Sequence, residues 1–118
     1  TCALPISDGQ RVCQILINFL TNAEKHTTQG EIRLHCSLTE NPGYVTFSVT
    51  DTGTGIPPEY SETIFERFEK ADNFGQGTGL GLNICRLIAE RLKGKVLLDK
   101  EYKEGARFVF VLPVKKSI

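Results

Sequence analysis

The chain has 118 residues, of which 40% are hydrophobic, and its 14 Lys and Arg residues balance 14 Asp and Glu residues. This length suffices for one domain with its own hydrophobic core. The zero formal net charge argues against a basic face that binds nucleic acid, and no apolar run approaches the roughly 20 residues of a membrane span. Because the four cysteines never form a C-x-x-C pair, we expect reduced thiols and no zinc site.

The first half of the chain predicts a helix followed by two strands. From residue 8 to about residue 27, apolar side chains recur at helical spacing, which indicates an amphipathic helix that ends before Gly30. The stretch EIRLHCSL then alternates, and its apolar positions are expected in the core: Ile32, Leu34, Cys36 and Leu38. The turn-prone ENPG joins it to YVTFSVTD, which ends at Asp51, so the two strands are predicted to form an antiparallel hairpin.

The second half predicts a long loop, a second helix and two more strands. Residues 52–58 and 69–77 are loop-like, and a loop of this length in a small domain is typical of a functional lid. A helix is predicted from about residue 79 to residue 92, followed by the strands KVLLD and ARFVFVLP. This order indicates an α+β fold: a two-layer α/β sandwich in which helices cover one face of a mixed, mostly antiparallel sheet.

Three stretches carry polar groups suited to a nucleotide. In NFLTNAEKH, Asn18 and Asn22 share a helix face, where amide oxygens suit a hard cation such as Mg²⁺. In DTGTGIP, Asp51 ends a strand. A carboxylate there can accept a hydrogen bond from the amino group of adenine, whereas guanine would place a carbonyl oxygen, itself an acceptor, against it. GQGTGLGL opens a helix as phosphate-binding loops do, yet it matches neither G-x-G-x-x-G nor the P-loop pattern. Each stretch alone also fits a surface Asn pair, a common turn or a flexible linker.

Taken together, NFLTNAEKHT, DTGTGI, IFERF and GQGTGLGL resemble, in order and spacing, the N, G1, F and G2 boxes of sensor histidine kinases. These boxes belong to the catalytic and ATP-binding domain, a member of the GHKL superfamily that also contains gyrase B, the Hsp90 chaperones and MutL. The resemblance covers almost the whole chain and implies the Bergerat fold of that superfamily. It implies a single catalytic and ATP-binding domain over residues 1–118, a fragment of a larger protein without the dimerization-histidine domain.

The resemblance also implies residue roles in binding ATP and Mg²⁺. Asn22 and Asn18 are the implied magnesium ligands and, with Lys25, the implied catalytic residues; Gln76 is a further implied ligand. The other implied nucleotide-binding residues are His26, Asp51, Gly53, Gly55, Ile56, Phe65, Phe68, Lys70, Gly77, Thr78, Gly79, Leu80 and Gly81. Among them Asp51 reads the adenine amino group, the two phenylalanines anchor the lid, and Lys70 is, with Arg67, a candidate partner of the γ-phosphate. His26 departs from the Phe or Tyr usual in the family.

One position helps to separate kinases from ATP hydrolases in this superfamily. The hydrolases usually carry a Glu one turn before the metal-binding Asn, where it acts as general base on water. This chain has Asn18 there, which takes up no proton at neutral pH. The resemblance therefore implies phosphoryl transfer to a histidine on a separate dimerization domain, and a response-regulator receiver domain as the next partner in a two-component phosphorelay.

The acceptor histidine is not expected within the chain. An acidic residue follows the acceptor in the family's H-box, whereas Thr27 follows His26 and Cys36 follows His35. We therefore expect the isolated chain to bind MgATP without phosphorylating itself. We expect a cytoplasmic domain of a membrane-anchored sensor, with no direct membrane contact of its own. Two alternatives remain: a serine-directed kinase of the anti-sigma type, and a non-catalytic interaction module gated by ATP.

Overall fold

The structure, a computed structural model, describes residues 6–38, 42–61, 63–66 and 80–113. These residues form two α-helices, a short 3₁₀ helix and four strands. In chain order they are α1 (Ile6–His26), β1 (Ile32–Ser37), β2 (Tyr44–Asp51), the 3₁₀ helix (Pro58–Tyr60), α2 (Leu80–Arg91), β3 (Lys95–Leu98) and β4 (Ala106–Pro113). The two predicted helices and the four predicted strands are therefore present.

The four strands form one sheet in the order β1-β2-β4-β3. Strand β2 pairs with both β1 and β4, so that Val49 lies opposite Leu34 on one side and Phe108 on the other. Strand β3 pairs with β4, with Val96 opposite Phe110. All three pairings are antiparallel, which confirms the predicted hairpin of β1 and β2. The parallel part of the predicted mixed sheet is not found among the described strands.

The core lies between this sheet and the two helices. On α1, the fully buried residues follow the helical spacing seen in the sequence: Ile15, Phe19 and Ala23. The rings of Phe19 and Phe108 meet with centroids 5.4 Å apart, within the range of favourable aromatic pairs. Helix α2 adds Leu82, Cys85, Ile88 and Ala89 to the same core. Both helices therefore pack on one face of the sheet, as predicted for an α+β sandwich.

Strand β1 differs from the prediction that its apolar face lies in the core. Leu34 is 49% exposed and Leu38, just after the strand, is 68% exposed; Cys36 is exposed as well, and so is Ile32. The physical reason is position, because β1 is an edge strand of the described sheet, whereas the residues that share the core with both helices come from β2 and β4. No residue of β1 belongs to the hydrophobic core of the described part of the chain.

This difference can be tested with two truncations of similar chemistry. Phe108→Ala should lower the free energy of unfolding by about 3–5 kcal/mol, because it empties a fully buried site against Phe19. Leu34→Ala should lower it by less than about 1 kcal/mol, because that side chain is half exposed. Urea denaturation of both variants measures the two values. A cost for Leu34→Ala equal to that of Phe108→Ala would contradict the exposed position of β1.

Candidate functional site

Asp51, at the end of β2, is only 1% exposed, and one side of its carboxylate is held by the backbone. Its Oδ1 accepts hydrogen bonds from the N–H of Gly53 at 2.8 Å and from the N–H of Ala106 at 3.3 Å. Its Oδ2 is buried and has no hydrogen-bond partner among the described residues. Because a buried acceptor without a partner is costly, Oδ2 is suited to a hydrogen-bond donor supplied by a ligand.

The glycine turn after Asp51 packs against the end of helix α1. A Cβ on Gly53 would overlap the carbonyl oxygen of His26, so only glycine fits there without movement of the backbone. The N–H of Thr54 donates to that same carbonyl at 3.1 Å. Gly55 has a φ of 78°, a left-handed conformation that favours glycine. The glycines predicted to make room for a base thus also bring α1 against Asp51.

The loop between β3 and β4 supports Asp51 from the other side. The hydroxyl of Tyr102 donates to the backbone carbonyl of Asp51 at 3.2 Å. The guanidinium of Arg107 lies over the Tyr102 ring, 4.6 Å from its centroid, and pairs with Asp99 at 3.2 Å. The sequence analysis did not single out Tyr102, which lies in KEYKEG, a turn-prone stretch between the last two predicted strands. The sole signal was an aromatic residue within a charged turn.

Asn18 and Asn22 share a face of α1, as predicted, but their surroundings differ. The Nδ2 of Asn22 is buried and has no partner among the described residues. The Nδ2 of Asn18 donates to the carbonyl of Gly81 at 3.3 Å and to the Sγ of Cys85 at 3.5 Å. Asn18 therefore links α1 to the beginning of α2, a contact that the sequence pattern did not predict.

Cys85 is fully buried between the two helices. Burial raises the pKa of its thiol to about 11, so the thiol is protonated at neutral pH. The thiol donates a hydrogen bond to the carbonyl oxygen of Ile15 on α1, which lies 3.9 Å from Sγ. The sequence prediction of a reduced thiol is consistent with this contact.

Three buried side-chain atoms of the described residues have no hydrogen-bond partner: Asn22 Nδ2, Thr27 Oγ1 and Asp51 Oδ2. Thr27 Oγ1 is packed against the glycine turn, 2.7 Å from where a Cβ on Gly53 would lie. Since nearly all buried polar groups in proteins have partners, this group of atoms at the ends of α1 and β2 indicates a binding site. Thr27 was not among the predicted site residues, because a threonine after a helix carries no distinctive pattern.

His26 is half-buried in the last turn of α1, beside this group of atoms. Loss of solvent lowers the pKa of its imidazole, the charge of Asp51 opposes the shift, and Lys25 adds to it. At neutral pH the side chain is therefore mainly an uncharged ring. Lys25 itself is exposed on the same turn.

The remaining predicted residues divide into those that the structure places and those that it does not describe. Gly81 contacts Asn18, Leu80 is the first residue of α2, and Ile56 and Phe65 pack against the core as half-buried residues. The ring of Phe65 meets Phe108 edge-on, with centroids 5.9 Å apart. The predicted residues that lie outside the described part of the chain are Arg67, Phe68, Lys70, Gln76, Gly77, Thr78 and Gly79.

Comparison with known proteins assigns this arrangement to a family. A family model described as "Histidine kinase-, DNA gyrase B-, and HSP90-like ATPase" matches residues 7–116. The chain belongs to this family. Its fold is accordingly the α+β fold of GHKL histidine kinase catalytic domains, and the resemblance inferred from the four boxes is confirmed.

Within the histidine kinase-, DNA gyrase B- and HSP90-like ATPase family, sensor kinases are similar to this chain. Sensor protein SrrB of Staphylococcus aureus is 40% identical over 111 residues, which are 90% of this chain and 19% of SrrB. Full-length ShkA, solved in complex with AMPPNP, gives a TM-score of 0.78 at 39% identity, over 91% of this chain and 22% of ShkA. The catalytic domain of histidine kinase ThkA gives 0.75 at 34% identity, over 91% and 69%. The chain spans about a fifth of the length of SrrB.

No helix in the described ranges is long and apolar enough to cross a membrane. The same part of the chain contains no group of three or more His, Cys, Asp or Glu side chains arranged to hold a metal ion. The residues at the site do suit magnesium, because Asn22 and Asn18 lie on one face of α1 and each carries an amide oxygen, a hard ligand of the kind that magnesium takes.

The lowered pKa of His26 predicts a pH dependence of stability. Above pH 6.5 the imidazole is neutral in both the folded and the unfolded chain. As the pH falls below 6.5, the unfolded chain takes up the proton first, so stability is lost down to the lower pKa of the folded state. His26→Phe should remove this loss. Urea denaturation at pH 7.5 and pH 5.5 measures it, and the variant should gain stability relative to the parent chain at the lower pH; an unchanged difference would refute the assignment.

Proposed function

We propose that this chain binds MgATP and donates the γ-phosphoryl group to a histidine on a separate dimerization domain of a two-component sensor kinase. The single observation that supports it most is Asp51, whose Oδ1 is fixed by two backbone N–H groups while its buried Oδ2 has no partner in the described part of the chain. Membership in an ATPase family that includes histidine kinases gives that carboxylate its context. In this proposal, residues 1–118 are one catalytic and ATP-binding domain within a longer cytoplasmic region.

Adenine recognition follows from the donors and acceptors around Asp51. The exocyclic amino group of adenine supplies the donor that Oδ2 lacks. Guanine would place a carbonyl oxygen at the same point, and two acceptors facing each other in a buried site repel. The backbone bonds of Gly53 and Ala106, together with the Tyr102 bond to the Asp51 carbonyl, keep the carboxylate in this orientation without the nucleotide. The Asp51 carboxylate is thus preorganised for adenine.

Asn22 and Asn18 are the residues proposed to hold magnesium. Amide oxygens are hard ligands, and magnesium commonly takes only one or two protein ligands, the others being waters and substrate phosphates. When bound, the ion would offset the negative charge of the triphosphate, which is the main need of phosphoryl transfer. Lys25, exposed on the last turn of α1, adds a positive charge on the solvent side. Gln76, Lys70 and the glycines at 77 and 79 remain proposed ligands outside the described residues.

The family sequence pattern favours transfer to another protein over hydrolysis. Asn18 occupies the place where hydrolases of this superfamily usually carry the general base, and its side-chain nitrogen is bonded to α2. An amide in this position takes up no proton from water at neutral pH. The nucleophile and its base would then come from the dimerization-histidine domain, and the receiver domain of a response regulator would accept the phosphoryl group from that histidine.

Asp51→Asn tests the proposed base recognition. Because the backbone N–H groups of Gly53 and Ala106 require an acceptor at Oδ1, the new amide nitrogen would occupy the Oδ2 position and face the amino group of adenine as a second donor. ATP affinity measured by calorimetry should fall at least roughly 100-fold. Glu90→Gln is the matched control, since it neutralises an exposed carboxylate on α2 that pairs with Arg86, and it should bind ATP as the parent chain does. Unchanged ATP binding by Asp51→Asn would mean that the base binds elsewhere.

A reconstitution experiment tests the proposed transfer. The chain is mixed with a dimerization-histidine domain and γ-labelled ATP, and the phosphorylated protein is then treated with acid. We expect acid-labile label on the added domain and none on the chain alone. Acid-stable label on a serine substrate would favour the anti-sigma type of kinase. ATP binding without transfer to any added histidine domain would favour the interaction module gated by ATP.

A further inference from the structure

We propose that Cys85 is a positioning residue for Asn18: together with the Gly81 carbonyl it holds the side-chain nitrogen of Asn18 against α2, so that only the amide oxygen faces bound magnesium nucleotide. This inference rests on the proposed function for its consequence, but its geometric part concerns the ligand-free protein. It assigns a role to a cysteine that lies beyond the glycine loop and outside the four boxes.

The orientation of the Asn18 amide follows from its neighbours. Nitrogen and oxygen of an amide are ordinarily told apart only by their hydrogen-bond partners. The Gly81 carbonyl, 3.3 Å from Nδ2, accepts hydrogen bonds only, so a reversed amide would set two oxygens against each other. The hydrogen bonds to Gly81 and Cys85 both run through Nδ2, which leaves the amide oxygen of Asn18 for another ligand. Asn18 therefore has one end committed to α2 and one end available.

Cys85 is suited to occupy the second hydrogen of Nδ2. Its Sγ lies 3.5 Å from Nδ2, and its own proton is directed to the Ile15 carbonyl, 3.9 Å away. The thiol thus donates a hydrogen bond to Ile15 on α1 and accepts one from Asn18 on the same helix. Gly81 and Cys85 are one turn apart on α2, which lets both acceptors meet the same amide. Because Cys85 is fully buried, water does not replace the sulfur as acceptor.

Residues that orient a metal ligand affect the metal through it. Loss of such a partner typically costs 10-fold to 100-fold in metal affinity or activity. Sulfur is a weak acceptor, so the lower end, about 10-fold, is expected here. Without the sulfur, one N–H of Asn18 loses its acceptor, and the Gly81 carbonyl alone holds the amide, so the oxygen is directed less firmly toward the nucleotide. The effect should therefore appear in the magnesium-dependent part of ATP binding.

The test uses two substitutions, one that keeps a hydrogen-bond acceptor at the γ position and one that does not. Cys85→Val fills the same space without an acceptor, whereas Cys85→Ser keeps one; Cys13→Val changes an exposed cysteine on α1 and is the matched control. The first measurement is the side-chain amide NMR resonance of Asn18 in nucleotide-free protein, assigned by its loss in Asn18→Leu. The second is ATP affinity with magnesium and with EDTA. The gain from magnesium is the ratio of the ATP affinity with magnesium to the ATP affinity with EDTA. Cys85→Val should shift the Asn18 resonance and lower this gain about 10-fold, with the affinity in EDTA unchanged.

Cys85→Ser and Cys13→Val should keep both the resonance and the gain from magnesium. The inference is overturned if Cys85→Val leaves the Asn18 resonance in place, if it leaves the gain unchanged, or if Cys85→Ser loses as much as Cys85→Val. Should Cys85→Val not fold, Cys85→Ala takes its place in both measurements. A parent chain that does not bind ATP would overturn the proposed function instead, and the nucleotide-free resonance would still decide whether Cys85 positions Asn18.

Discussion

The close approach of helix α1 to the glycine turn after β2 is the constraint on which the site depends. The turn meets the helix at a point where a Cβ on Gly53 would overlap the His26 carbonyl, and the bond from Thr54 closes the contact. The same glycine donates its N–H to Asp51. One residue without a side chain therefore fixes both the orientation of the carboxylate and its distance from the end of α1, which a larger residue would increase.

Local patterns predicted the helices and strands because each pattern reports which face of an element is apolar. The stripe that includes Ile15 and Phe19 is buried as expected. The alternation in β1 was equally clear, yet Leu34 is half exposed, because a pattern does not say whether another element covers the face. The packing of α1 and α2 over β2 and β4 decides that, and this packing is a tertiary property. The family, the fold class and the position of Asp51 were thus accessible from sequence, whereas the surroundings of the edge strand were not.

The candidate site divides in the same way. Glycines and carboxylates stand out in a sequence because few other residues allow a close backbone approach or accept hydrogen bonds with a negative charge. Asp51 and the glycine turn after it were found on that basis. Thr27 and Tyr102 were missed because their importance comes from contacts with residues distant in the chain. The Tyr102 hydroxyl bonds a carbonyl 51 residues away. Helical spacing put Asn18 and Asn22 on one face, but only the neighbouring helix makes them different.

That difference bears on how a domain with so few charged groups at its site would handle a triphosphate. In the proposed function Asp51 binds the base, so the uncharged Asn18 and Asn22, not carboxylates, would meet the metal. A carboxylate in place of Asn18 would offer water a proton acceptor beside the γ-phosphate, and in the proposed function ATP would then be hydrolysed before a histidine arrived. Neutral amides avoid this reaction but bind the metal less firmly, since they supply no charge. Their orientation then matters more, and the bonds from Asn18 to Gly81 and Cys85 are placed to maintain it.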